Sequence, residues 1–545
     1  MRRLLPLLAL LLGAAPTAPL SPPTVSPERL SADARTLASP AFAGRAPGTP
    51  GDARTVAWLI AQLKAAGVRP GGPNGGWTQV VPLIRTQIGA GTIRAGGTAW
   101  AQSREVYVST VRDAPRVRLD RLPMVFVGYG VHAPERGWDD FKGVDLTGKV
   151  AVFLVNDPDF EAGADEPVAG RFGGRRMTYY GRWTYKFEEA ARHGAAAALI
   201  VHDTPGAGYG WSTVIAPAGE NYDVARGADD PRVALQGWIA GDAATALFRA
   251  AGLDLAAQRI AARRADFRPV ELKGQLFSAD LPVTVERKVS HNVLGRLPGR
   301  SRPDETVMIG AHWDAYGIGP ADAAGRTIRP GANDDGLGVA ATLELARAFA
   351  KAPRPARSLV FAFWTGEERG LLGSETYAQH PVYPVATTVA NLTFDILNTA
   401  GPARDVMLVG NGQDTLEDRL ATAAQAQGRT VTPEALPERG LFYRADHFSL
   451  ARRGVPTLLL MAISGPPDLV AGGRAAGQAW LDAYMKCYHQ TCDQWSPAWD
   501  LRGAAADAAL FGTIARDLAN GRDWPDWRDG SEFKAIRAQT AAARR

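Results

Sequence analysis

Apolar positions along this chain follow two periods, and the changes of period divide it into three stretches. In residues 55–66 (TVAWLIAQLKAA) they recur every three to four positions, which predicts a helix closed by Gly67. The stretch 26–83 reads as helix-rich, and 84–104 has no clear period. From about residue 105 short apolar runs at 123–131, 149–155 and 196–202 predict strands. Helices are predicted at 187–193 and 240–253, with Gly and Asp turns between the elements. From residue 283 strand and helix alternate regularly: strand 306–310, helix 338–351, strands 358–364 and 389–397, helix 415–427, strand 455–461 and helix 503–520. Strands that are apolar without alternation belong to a sheet covered on both faces. The predicted fold is therefore α/β, a mixed, largely parallel sheet sandwiched by helices. Residues 26–104 and 272–545 supply its two parts, and 105–271 form an inserted, smaller α/β module.

Composition narrows the classes. At 545 residues the chain calls for two or three cores, and its 46% apolar and 21% charged content is that of a globular protein. The net charge of +5 comes from scattered arginines with no basic block interleaved with aromatics, which argues against a nucleic-acid partner. Arg2 and Arg3 precede an apolar run, 4–13, too short to span a bilayer, and small residues and prolines follow. Residues 1–22 are thus expected to be a signal peptide, and the protein to be exported, periplasmic or secreted. No later run suits stable membrane insertion after its removal. The two cysteines, Cys487 and Cys492, are too few for a zinc–thiolate site. They leave open a local disulfide or two free thiols.

Five short segments carry metal-type side chains, each at or near the end of a strand or turn: His312 and Asp314, Asp334-Asp335 in a Gly-bounded turn, Glu367-Glu368, Asp395, and Tyr488-His489. Ligand sites in α/β sheets form beyond the carboxyl ends of strands. Any one segment alone has an ordinary explanation: a loop imidazole, a helix cap, a solvated acidic turn. Asp335 suits a cap while Asp334 serves as ligand. Adjacent carboxylates cost energy unless a cation offsets them, and a charge in the apolar run around Asp395 needs a partner. Two imidazoles and three carboxylates suit a pair of zinc ions bridged by one carboxylate. His132, His193 and His202 stand alone and read as structural or solvated.

Taken in order, His-x-Asp, Gly-Ala-Asn-Asp-Asp-Gly, Thr-Gly-Glu-Glu, the later Asp and Tyr-His resemble metallopeptidase family 28, with support from Arg444-Ala445-Asp446-His447 and Gly454-Val455-Pro456. The resemblance covers residues 26–104 and 272–545, and 105–271 resemble a protease-associated domain. It implies a zinc-exopeptidase fold and two Zn2+ ions. His312 and Asp395 would hold one ion, Glu368 and His489 the other, with Asp334 between them. It further implies Glu367 as general base, Asp314 behind His312, Tyr488 on the oxyanion, and a cis peptide at Asp334-Asp335. The expected activity is aminopeptidase action on peptides. The competing readings are a carboxypeptidase or dipeptidase, a glutaminyl cyclase, and an inactive binding or receptor-like homologue. Arg439, Arg444 and Arg452 are candidates for binding a substrate carboxylate.

Overall fold

A computed structural model describes residues 23–226 and 231–544. The expected signal peptide lies outside the described residues. Strand Arg357–Trp364 is buried at every position. Its side chains divide by alternation, as the pleat requires. Leu359, Phe361 and Phe363 join a core with residues of helices Gly336–Lys351 and Arg502–Asn520. Val360, Ala362 and Trp364 join a second cluster with Tyr377 and Leu450, from helices Leu372–Gln379 and His447–Ala451. Strand Arg302–His312 divides the same way, Val307, Ile309 and Ala311 against Met308. Helices on both faces are the physical reason for the unbroken apolar runs.

The sheet order here is Thr457–Leu460, Thr388–Phe394, Arg302–His312, Arg357–Trp364 and then Val270–Leu297. The first three pairings are parallel and the last antiparallel, so the fold is the mixed, helix-sandwiched sheet expected. Parallel register aligns strand ends: His312 lies beside Trp364, and Gly310 beside Thr393. The loops that follow therefore open on one edge of the sheet.

Strands Arg116–Phe126, Val150–Leu154, Ala197–Val201 and Leu235–Ile239 form a second parallel set, with Val106–Ser109 antiparallel at its edge. They enclose a separate apolar core that also takes in Ile93, Trp100, Phe277 and Leu281. Strand Val270–Leu297 joins the two sets. Its first half pairs with Arg116–Phe126, and residues 293–297 pair with 359–363.

Several strands were not anticipated from the sequence, and the two longest of them pair with each other. Thr78–Ile88 runs from the helix-rich stretch into the stretch without a period. It pairs antiparallel with residues 283–293 of the long strand. Pro82 inside the first, and Glu286, Arg287 and Lys288 inside the second, obscure the alternation that otherwise marks a strand. Among the described residues no helix is long and apolar enough to cross a membrane.

Candidate metal centre

The five segments meet at the aligned strand ends. His312 is the last residue of its strand. Asp395 directly follows Thr388–Phe394. Glu367 and Glu368 open a 3-10 turn three residues beyond Trp364. Asp334-Asp335 is a cis peptide just before helix Gly336–Lys351. Asp335 caps this helix, accepting the Gly338 N–H at 2.9 Å. It also accepts the N–H groups of His312 and Ile396, each at 3.3 Å. One buried carboxylate thereby ties together the three segments that carry His312, Asp334 and Asp395.

Asp334 stands between the imidazoles. Its Oδ1 is 3.2 Å from His312 Nε2, and its Oδ2 is 3.2 Å from His489 Nε2. Asp395 Oδ1 and Glu367 Oε2 are each 3.9 Å from His312 Nε2, and Glu368 Oε2 is 3.2 Å from His489 Nε2. Two triads result, His312–Asp334–Asp395 and Asp334–Glu368–His489, with donor atoms in each within 4.8 Å of one another. Behind them, Asp314 accepts the Glu367 N–H at 3.1 Å, while its backbone carbonyl lies 3.1 Å from His312 Nδ1. Tyr488 stacks beside His489, ring centroids 3.6 Å apart, and Tyr316 approaches the same imidazole at 4.6 Å. Cys487 and Cys492 form a disulfide that brackets Tyr488 and His489, which settles the alternative the sequence left open. His489 and Ile396 both have left-handed backbones, φ +63° and +57°. That conformation is costly for a β-branched residue such as Ile396 and is typical of functional sites.

The electrostatics are those of a site built around cations. Burial, followed for Glu368 by the Asp334 charge, holds Glu367 and Glu368 well above the usual carboxylate range. Burial and Asp334 push Asp395 up to about 8. Burial also acts upward on Asp334, but the adjacent His312 and His489 imidazoles outweigh it and hold that carboxyl below its ordinary range. His312 Nε2, Asp334 Oδ2 and Asp395 Oδ1 are buried with no hydrogen-bond partner. Native proteins rarely leave such atoms unpaired. Nitrogen and carboxylate donors that converge without bonding one another fit divalent zinc-type ions.

Two residues that sequence reasoning missed hold this arrangement. Asp493 accepts the Asn333 N–H on one oxygen and the Asp334 N–H on the other, both at 3.1 Å. Arg45 is fully buried and donates to the carbonyls of Leu37, Trp313, Pro330 and Gly331 at 2.6–3.0 Å. It clamps the loops after His312 and before Asp334 to the N-terminal helical segment. Asp493 had a signal, its place four residues after His489. Arg45 had none, because a buried arginine and a solvated one look alike in sequence. The lone histidines stay outside the two triads. His132 lies 3.6 Å from Asp139, His193 stacks on Phe141, and His202 Nε2 lies 3.0 Å from the Tyr209 carbonyl.

Comparison with known proteins gives the same family as the motifs. Residues 292–511 match the model of Peptidase family M28. The chain is 28% identical over 229 residues to leupeptin-inactivating enzyme 1 of Streptomyces exfoliatus, covering 41% of this chain and 48% of that one. It is 30% identical over 230 residues to an aminopeptidase of Pseudomonas aeruginosa (strain UCBPP-PA14), covering 39% of each. It thus spans less than half the length of these curated relatives. Among solved structures, the aminopeptidase from Aneurinibacillus sp. strain AM-1 aligns with a TM-score of 0.49 and 20% identity over 93% of this chain and 95% of that one. Over residues 292–511 the chain is therefore similar to peptidase family M28, the family whose motifs it carries in order.

Proposed function

We propose that the protein is an exported, zinc-dependent aminopeptidase that removes N-terminal residues from peptides. The observation that carries this reading is Asp334, whose two oxygens each lie 3.2 Å from a different imidazole. In this reading His312 and Asp395 hold one Zn2+, Glu368 and His489 hold the other, and Asp334 serves both. Zinc bound there supplies a Lewis acid for the scissile carbonyl and lowers the pKa of water at neutral pH. Glu367 takes the proton of the attacking water and delivers it to the departing amine. Asp314 supports both partners, since it accepts the Glu367 N–H and adjoins His312 Nδ1. Burial keeps the Tyr488 phenol protonated, so it can donate to the oxyanion of the tetrahedral intermediate. The basic and apolar start of the chain supports export, and the 105–271 module is assigned to shaping substrate access.

The test compares a short peptide bearing a free N-terminus with its N-acetylated twin on zinc-loaded protein, with Glu367→Gln as control. An aminopeptidase cleaves only the free peptide, one residue at a time, and Glu367→Gln loses about a hundredfold or more in rate. Equal cleavage of both peptides would move the assignment to carboxypeptidase or endopeptidase.

A further inference from the structure

Of the five donors at the metal centre, His489 is the least enclosed. Its side chain is 27% exposed, against 6% or less for His312, Asp334, Glu368 and Asp395. A metal-binding imidazole is usually oriented through its second ring nitrogen. For His312 that nitrogen, Nδ1, lies 3.1 Å from the Asp314 carbonyl. His489 lacks such a partner. Asp334 and Glu368 both approach its Nε2, and among the described residues its Nδ1 has no hydrogen bond. Two tyrosines flank the ring instead. Tyr488 precedes it in the same disulfide-bracketed loop. Tyr316 comes from the loop after His312, so its ring, 4.6 Å away, restrains the imidazole from outside the loop that carries it.

Tyr316 is held in turn. The Arg369 guanidinium lies over its ring at 4.9 Å, and over the ring of Tyr222 at the same distance. Arg369 Nη1 is also 3.5 Å from Glu220 Oε1. A guanidinium can be attracted to aromatic faces and to a carboxylate at once. Glu220 and Tyr222 belong to strand Glu220–Val224, from the 105–271 stretch, which pairs antiparallel with Thr78–Ile88. Arg85 of that partner strand donates to the other oxygen of Glu220 at 2.7 Å. Val81, Leu83 and Val224 close on Leu372, three residues beyond Arg369. The strand is therefore a fixed base for the arginine. Contacts run without a break from Tyr222 through Arg369 and Tyr316 to His489, none longer than 4.9 Å. Arg369 itself directly follows Glu368, the other donor on this side of the centre.

We propose that Arg369 is a positioning residue: backed by Tyr222 and Glu220, it holds Tyr316 against His489 and so sets how tightly the Glu368–His489 position binds its metal ion. The 105–271 stretch then acts on the metal centre as well as on access to it. This rests on the reading of His489 as a zinc ligand.

The experiment follows the zinc and the imidazole separately. Competitive chelator titration gives the affinity of each zinc position in the wild type, Arg369→Met, Tyr222→Leu, Tyr316→Leu and Tyr316→Phe, with His489→Ala marking the position concerned. The expected result is about tenfold weaker binding at the Glu368–His489 position in the first three variants, with the His312–Asp395 position unchanged. Tyr316→Phe keeps the ring and should stay within about twofold of the wild type, and Arg369→Lys keeps the charge and should recover part of the loss. General loosening of the fold would weaken both positions and would not be recovered by lysine. In metal-stripped protein, the His489 ring protons are assigned among the eight histidines by their disappearance in His489→Ala. Their NMR signals should shift in Arg369→Met and Tyr222→Leu, because the Tyr316 ring no longer stays in place. Circular dichroism checks folding, and Tyr222→Leu with Arg369→Lys carries the test if Arg369→Met does not fold. Wild-type zinc affinity in Arg369→Met and Tyr222→Leu, equal weakening at both positions, or unmoved His489 signals would overturn the proposal. Shifted His489 signals in a protein that binds no second zinc would retain the positioning role and reject the metal reading instead.

Discussion

Replacing Asp493 by Asn tests whether the bridging carboxylate is held in place from behind. Asp493 is 4% exposed and gives one oxygen to each of two consecutive backbone N–H groups, those of Asn333 and Asp334. The amide is nearly isosteric but has only one acceptor oxygen, so its NH2 must face one of the N–H donors. One charge-assisted hydrogen bond is lost, about 1.5–3 kcal/mol, and a buried donor is left unpaired. A smaller effect opposes this. Burial and repulsion by Asp334 raise Asp493 to about 7, so neutralising it relieves some like-charge strain. The net displacement falls on Asp334, on which both triads depend. Zinc affinity should drop about 10- to 100-fold, or ~1.4–2.7 kcal/mol. Competitive chelator titration with metal counting on the protein would measure it. Two equivalents bound with wild-type affinity and an unchanged kcat/KM would refute the positioning role of Asp493.

Other outcomes follow from the same structure. His489→Ala removes a donor from the Asp334–Glu368–His489 triad and should lower the bound zinc from the two equivalents expected of the wild type to one; full occupancy by elemental analysis would remove His489 from the ligand set. Replacing both Cys487 and Cys492 by Ser frees the loop that carries His489, and the weaker-held zinc should be lost to chelator at about tenfold lower concentration; an unchanged titration would show that the loop holds its shape unaided. Glu434 is raised from the ordinary glutamate value to about 7, chiefly by burial, and its Oε2 has no partner. It binds a proton more tightly folded than unfolded, so its contribution to stability is present below the ordinary glutamate pKa and is lost as pH rises through about 7. Glu434→Gln should therefore gain on the wild type across that window, by up to ~3 kcal/mol, in urea unfolding at about pH 5 and about pH 8; parallel curves would rule this out.

Many of the helices and strands that bury a face were legible in the chain, because burial imposes a period, though short buried strands such as Val106–Ser109 and Leu235–Ile239 were not. The helix expected at 338–351 is Gly336–Lys351, and the strand expected at 358–364 is Arg357–Trp364. Strands Thr78–Ile88 and Val270–Leu297 were not, because a half-exposed strand containing a proline or consecutive charges has no clean alternation. The candidate ligands were legible because each sits in a short run whose chemistry is unusual on its own terms: Glu367 beside Glu368, Asp334 beside Asp335, Asp395 after an apolar strand.

The identity and order of the donor side chains, and the strand ends that carry them, were set by local composition. Their partnership was not. His312 and His489 are far apart in sequence, and only the parallel register that places His312 beside Trp364, together with the cap formed by Asp335, turns Asp334 into the carboxylate between them. The same holds for Asp493 and for Arg45. A charged residue declares its sign in the sequence. Whether that charge is solvated, paired or buried without a partner depends on which distant segments pack against it, and tertiary packing alone decides that.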